Sequence, residues 1–63
     1  MVYRITVDGK TKYAEAPIGE YSLEEDNLAR EEIIRHFLDI EGAKDVTIDT
    51  TPEEVRRFCE EGI

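Results

Sequence analysis

Val2-Tyr3-Arg4-Ile5-Thr6-Val7-Asp8-Gly9-Lys10-Thr11-Lys12-Tyr13-Ala14 decides the fold. Tyr3, Ile5 and Val7 recur at period two among β-branched neighbours, which is the pattern of a half-buried strand. Asp-Gly between two such segments is a strong short-range hairpin signal. The hairpin therefore spans residues 2–14. A two-residue loop pairs Val7 with Lys10. A three-residue loop with a glycine bulge pairs Tyr3 with Tyr13 and Ile5 with Thr11. The second register gathers apolar side chains on one face and is the expectation taken here.

Beyond the hairpin, Pro17 and Gly19 mark a connection. Ser22-Leu23-Glu24-Glu25 is a capping box, with Ser22 accepting from the Glu25 backbone and the Glu25 side chain reaching back. The spacing predicts a helix over 23–41, ended by Gly42. At 100° per residue, Ala29, Ile33, Ile34, Phe37, Leu38 and Ile40 share one half of it. Leu28 falls on the other side, among Glu25, Glu32, Arg35 and Asp39. Residues 44–50 alternate, with Val46 and Ile48 on one face, and read as a third strand. Thr51-Pro52-Glu53-Glu54 opens a second helix over 52–61, whose apolar stripe is Val55, Phe58 and Cys59.

The expected fold is a small α+β domain over residues 1–63. Its order is β-β-α-β-α, a three-stranded sheet with two helices packed on one face. The third strand is expected beside the first, with its direction open. Three strands leave free edges, which invite self-association.

The chain has 63 residues, 16 acids against 8 Lys and Arg, and a net charge of -8. A chain of this size buries only about 60% of its unfolded surface, so marginal stability is expected. The charge is uneven: residues 1–19 carry +1, residues 20–43 carry -6 and residues 44–63 carry -3. Such a surface repels nucleic acid and anionic membrane, whose charge has the same sign. No apolar run is long enough to span a bilayer, and Met1-Val2-Tyr3-Arg4 does not read as a secretory signal. With one cysteine, Cys59, no internal disulfide can form, and a reducing, cytoplasmic setting is expected.

Catalytic and metal chemistry are poorly supplied. His36 and Cys59 are the single His and Cys. A thiol–imidazole pair needs a third group to orient it, and a zinc site needs about four close ligands. The adjacent acids Glu24-Glu25, Glu31-Glu32, Glu53-Glu54 and Glu60-Glu61 point about 100° apart on a helix and do not converge. No catalytic residue, metal ligand or cofactor is assigned, and the chain is not expected to be an enzyme.

The organised surface is the polar side of the first helix. Glu25, Glu32 and Asp39 recur every seven residues and stack in a row. Glu24 and Glu31 form a second row about 80° away, on a helix roughly 28 Å long. With Leu28 as an apolar centre in a polar rim, the expected partner-binding residues are Glu24, Glu25, Leu28, Glu31, Glu32 and Asp39. Such a ridge suits a protein with a basic surface, a nucleic-acid-handling enzyme for example, which would meet carboxylates in place of phosphates. Against this stands a solvated face. Arg35 lies within i±4 of Glu31, Glu32 and Asp39, and Asp26–Arg30, Glu53–Arg57, Arg56–Glu60 and Arg57–Glu61 are spaced as helix ion pairs, which raise solubility and helicity alone.

In size and charge the chain resembles the small acidic accessory proteins of phages and mobile elements, anti-CRISPR inhibitors among them. The resemblance implies a non-enzymatic inhibitor docking a basic surface of its target. The alternative is a homo-oligomeric interaction module, acting through a sheet edge or Leu28, whose acids only confer solubility.

Overall fold

Three strands and two helices follow in the order β-β-α-β-α in the computed structural model, which describes residues 1–62. Strand β1 (Val2–Val7) lies between β2 (Lys10–Glu15) and β3 (Val46–Ile48), both antiparallel to it. Helix α1 (Leu23–Arg35) runs on into a π-helical turn (His36–Ile40), and α2 (Pro52–Glu61) follows β3. Alternation decides which face is covered: Tyr3, Ile5 and Val7 are buried beneath Ile33 and Phe37 of the first helix and Val55 of the second. Ala16 and Ile18, in the connection after β2, close the same core.

The hairpin register differs from the expectation. Val7 pairs with Lys10, Ile5 with Lys12 and Tyr3 with Ala14. Asp8 and Gly9 both take positive φ, 48° and 82°. Two consecutive left-handed residues make the two-residue turn whose twist matches the strands, so the loop is short and carries no bulge. Lys10 and Lys12 consequently share the core-side face of the sheet with Tyr3, Ile5 and Val7. They remain exposed because β2 is an edge. Lys12 lays its ammonium 5.9 Å from the Phe37 ring centroid and 3.9 Å from Glu41, keeping the charge wet while its stem covers apolar surface.

Strand β3 is shorter than the 44–50 read from alternation. The Asp8 carboxylate accepts the Lys44 and Asp45 amides at 3.0 and 2.9 Å, so those donors are spent on the turn. At the other end the Asp49 and Thr50 amides both converge on the Arg4 carbonyl, which ends the regular ladder.

The first helix also departs from a plain α-helix over 23–41. The Glu41 amide donates to the His36 carbonyl, five residues back, the spacing of a π-turn. Gly42, at φ 69°, ends the element, and the Ala43 amide closes onto the Phe37 carbonyl. Each residue of a wider turn advances less than 100°, so side chains beyond His36 leave the α-helical wheel. Ile40, expected on the apolar half, is 74% exposed, and Leu38 is exposed as well. His36 and Glu41 would stand about 140° apart on an α-helix, yet their side chains meet at 3.0 Å.

A second departure concerns Asp26. An exposed i,i+4 pair with Arg30 was expected; instead Asp26 is fully buried. Its Oδ1 accepts the Tyr3 hydroxyl at 2.5 Å and the Arg30 Nε–H at 3.0 Å. The Arg30 guanidinium lies 5.3 Å from the Tyr3 ring centroid, within cation–π range. Asp26 Oδ2 and Arg30 Nη2 are buried without a hydrogen-bond partner among the described residues. Burial first, then the bond to Asp26 and its charge, pushes the Tyr3 phenol far above its ordinary value, with Arg30 opposing. This network pins α1 across β1 and thereby sets the helix's position relative to β2.

Candidate functional site

Between α1 and the edge strand β2 lies an open groove of about 810 Å³. Its floor is apolar: Ala29, Ile33 and Phe37 from the helix, Ala14, Ala16 and Ile18 from the opposite wall. The helix supplies one wall because Ala29, Ile33 and Phe37 recur at spacings of four. The other wall exists because β2 continues in extended form to Ala16, whose amide donates to the Met1 carbonyl at 2.9 Å. Pro17 then removes a donor and turns the chain away.

The rim carries large apolar side chains left in water. Tyr13 is 67% and Leu28 58% exposed, and both line the groove together with Ile40. Three apolar groups around one depression form a patch, which is more informative than a lone exposed leucine. The π-turn is responsible for Ile40, since it swings that side chain out of the core.

Glu15, Glu25, Glu32 and Glu41 also line the groove, against Arg35 and His36. Glu41 is engaged by His36 and Lys12. Glu15, Glu25 and Glu32 make no ion pair among the described residues. The Ser22 cap is one-sided: Ser22 Oγ accepts from the Glu25 amide at 3.5 Å, but no hydrogen bond returns from the Glu25 carboxylate. That carboxylate is therefore available to the groove. The second cap, at Thr51, is closed in both directions.

The residues expected to bind a partner thus divide into two sets. Glu25, Leu28 and Glu32 come together on the groove, whereas Glu24, Glu31 and Asp39 lie outside it. Glu25 and Glu32 keep their row because both sit within the α-helical part. Asp39 falls within the π-turn, where the seven-residue register no longer applies. The solvated-face account fares unevenly too. Arg56–Glu60 and Arg57–Glu61 form, and Arg56 reaches Glu53 at 2.6 Å in place of the expected Glu53–Arg57 pair. Arg35 forms none of its three expected pairs among the described residues.

Sequence reasoning missed Tyr13, Ile40 and the Glu15 wall. Tyr13 was misplaced by the wrong hairpin register and Ile40 by the assumption of a uniform helix. Asp26 had a legible signal: it lies seven residues before Ile33 and three before Ala29, on the apolar stripe itself.

His36 stacks edge-on against Phe37, with ring centroids 5.3 Å apart, and is exposed. Cys59 is half-buried against the core from α2, and no hydrogen bond links the two. Among the described residues no three His, Cys, Asp or Glu side chains cluster as a metal site, and no helix is long and apolar enough to cross a membrane.

No protein-family model, curated protein or solved structure matches the chain.

Proposed function

We propose that the chain is a non-enzymatic binding protein whose groove between α1 and β2 takes a basic, partly apolar segment of a partner protein. The observation that carries this reading is the pairing of an apolar floor with three rim carboxylates, Glu15, Glu25 and Glu32, that form no ion pair among the described residues. A partner that inserts apolar side chains and presents Lys or Arg at the rim satisfies both features, in the usual arrangement of a dry centre and a polar edge. The net charge of -8 steers a basic partner towards the molecule and disfavours acidic ones. A nucleic-acid-handling enzyme is one class of target with such a segment, and blocking its basic surface would inhibit it.

The test compares two charge reversals of equal size. E25K/E32K alters the groove, and E24K/E31K alters the same helix outside it. The full chain and both variants are used as bait in nuclease-treated host lysate, with elution by a salt gradient and circular dichroism to verify folding. A partner lost by E25K/E32K and kept by E24K/E31K supports the groove. Equal loss in both variants would assign recognition to the whole acidic ridge, as expected for a phosphate mimic. Retention by both would leave the acids a solubilising role.

A second reading rests on the free edge of β2, which a second copy of the chain can pair with. Two chains of charge -8 oppose each other at that contact, so this reading requires a dimer that tightens with added salt.

A further inference from the structure

We propose that the groove receives its partner as an added β-strand, hydrogen-bonded to the free edge of β2, with alternate side chains entering the space under α1. This rests on the reading of the groove as a docking site and specifies the conformation of its occupant.

Ladder parity gives the first argument. Ala16 donates to the Met1 carbonyl, and the Met1 amino group donates to the Ala16 carbonyl at 3.2 Å. Ala16 is therefore an inward-bonding residue. In an antiparallel pair the bonding direction alternates, so Ala14, Lys12 and Lys10 also bond inward to β1. Thr11, Tyr13 and Glu15 turn their amide N–H and carbonyl groups outward, to the unpaired side of β2. These three donor–acceptor sets span about 14 Å at 3.4 Å per residue, and that edge is one wall of the groove.

The second argument is side-chain geometry. A strand laid along this edge continues the sheet, so every second side chain points to the face that carries Ala14 and Lys12. That is the face beneath α1, where Ile33 and Phe37 form the floor. An edge strand beside a helix, with an apolar slot between them, is the geometry in which main-chain bonds give affinity and alternate pockets give specificity.

Charge selects the occupant. Glu15 lies on the edge itself, and Glu25 and Glu32 stand on the helix wall, none of them in an ion pair among the described residues. An extended segment whose side chains facing α1 are apolar over the floor and Lys or Arg at the rim matches Glu25 and Glu32, and basic side chains on its other face meet Glu15. A second copy of β2 brings Glu15 of its own to the same edge and matches poorly. The other edge of the sheet is less suited: β3 has three residues and is followed at once by α2.

Random peptides long enough to cover the edge are displayed and selected on the immobilised full chain. The best binder is then titrated against the chain while backbone amide exchange is followed by NMR. Period-two apolar patterns with net positive charge are expected, and exchange at Thr11, Tyr13 and Glu15 should slow by about tenfold or more. Lys12 and Ala14, already bonded to β1, should change little. Methylating the peptide nitrogens in one alternating register should abolish binding, and in the other register should not. Selection of three- and four-residue apolar spacing, with no protection at those three amides, would overturn the added strand while leaving the groove as a docking site. Absence of any enriched basic sequence would overturn the groove reading and the strand with it. A dimer in light scattering that excludes the peptide would assign the edge to a second copy.

Discussion

Tyr3→Phe removes one oxygen from the most enclosed polar contact in the molecule. Tyr3 and Asp26 are both fully buried, and the hydroxyl donates to Asp26 Oδ1 at 2.5 Å. After the substitution that oxygen keeps only the Arg30 Nε–H, and Oδ2 has no partner among the described residues to share the load. Losing a hydrogen bond to a buried charged group costs about 1.5–3 kcal/mol. At 0.05–0.15 kcal/mol per residue, the chain's total stability is roughly 3–9 kcal/mol. A loss near 2 kcal/mol is thus a large share of it, and lowers Tm by about 8–16 °C in a domain of this size. Urea and thermal denaturation by circular dichroism measure the loss. Asp26→Asn and the double variant complete a cycle, in which a coupling above about 0.5 kcal/mol identifies a direct interaction. A Tyr3→Phe change within about 0.5 kcal/mol of the parent at pH 7, or strict additivity with Asp26→Asn, would refute the claim that this network pins α1. The same network has a pH signature. Folding raises the Tyr3 pKa above its unfolded value of about 10. The folded state therefore holds the phenolic proton more tightly, and its stabilisation is complete below pH about 10. It declines as pH rises from there towards the folded value, and Tyr3→Phe should abolish that part of the decline.

Asp8→Ala should cost about 1–3 kcal/mol, since it loses the bonds to the Lys44 and Asp45 amides and keeps a Cβ at positive φ without the polar side chain that eases that conformation; Asp8→Gly loses the same bonds but removes the Cβ from the left-handed backbone, so it should cost less, and the difference between the two urea midpoints reports the strain. Phe37→Ala should cost about 3–5 kcal/mol and come close to unfolding the chain, whereas Ile40→Ala should change stability by about 0.5 kcal/mol or less. Comparable losses at both positions would contradict the π-turn that turns Ile40 outward.

The acidic helix was legible from heptad spacing, and so was the presence of a sheet with two helices on one face. Period-two and near-3.6 patterns report which faces are apolar, and that is a local property of the chain. The site was less legible, because it lies between elements. Glu25, Leu28 and Glu32 were recognisable as one patch, but their opposite wall depends on where β2 lies beside α1. That distance is set by Tyr3 reaching Asp26 across 23 positions.

Element order, the capped helix starts, the Asp-Gly turn and the charge of the later two-thirds of the chain all belong to the sequence alone, since each rests on residues within a turn or two of one another. Tertiary structure decided the rest. The hairpin register followed from two left-handed residues and the three-dimensional docking of Asp8 onto the start of β3. The burial of Asp26 followed from the sheet placed beneath it. The break in the acidic row at Asp39 and the exposure of Ile40 followed from a single widened turn. Spacing along the chain assumes one helical pitch throughout, whereas the first helix widens its pitch from His36.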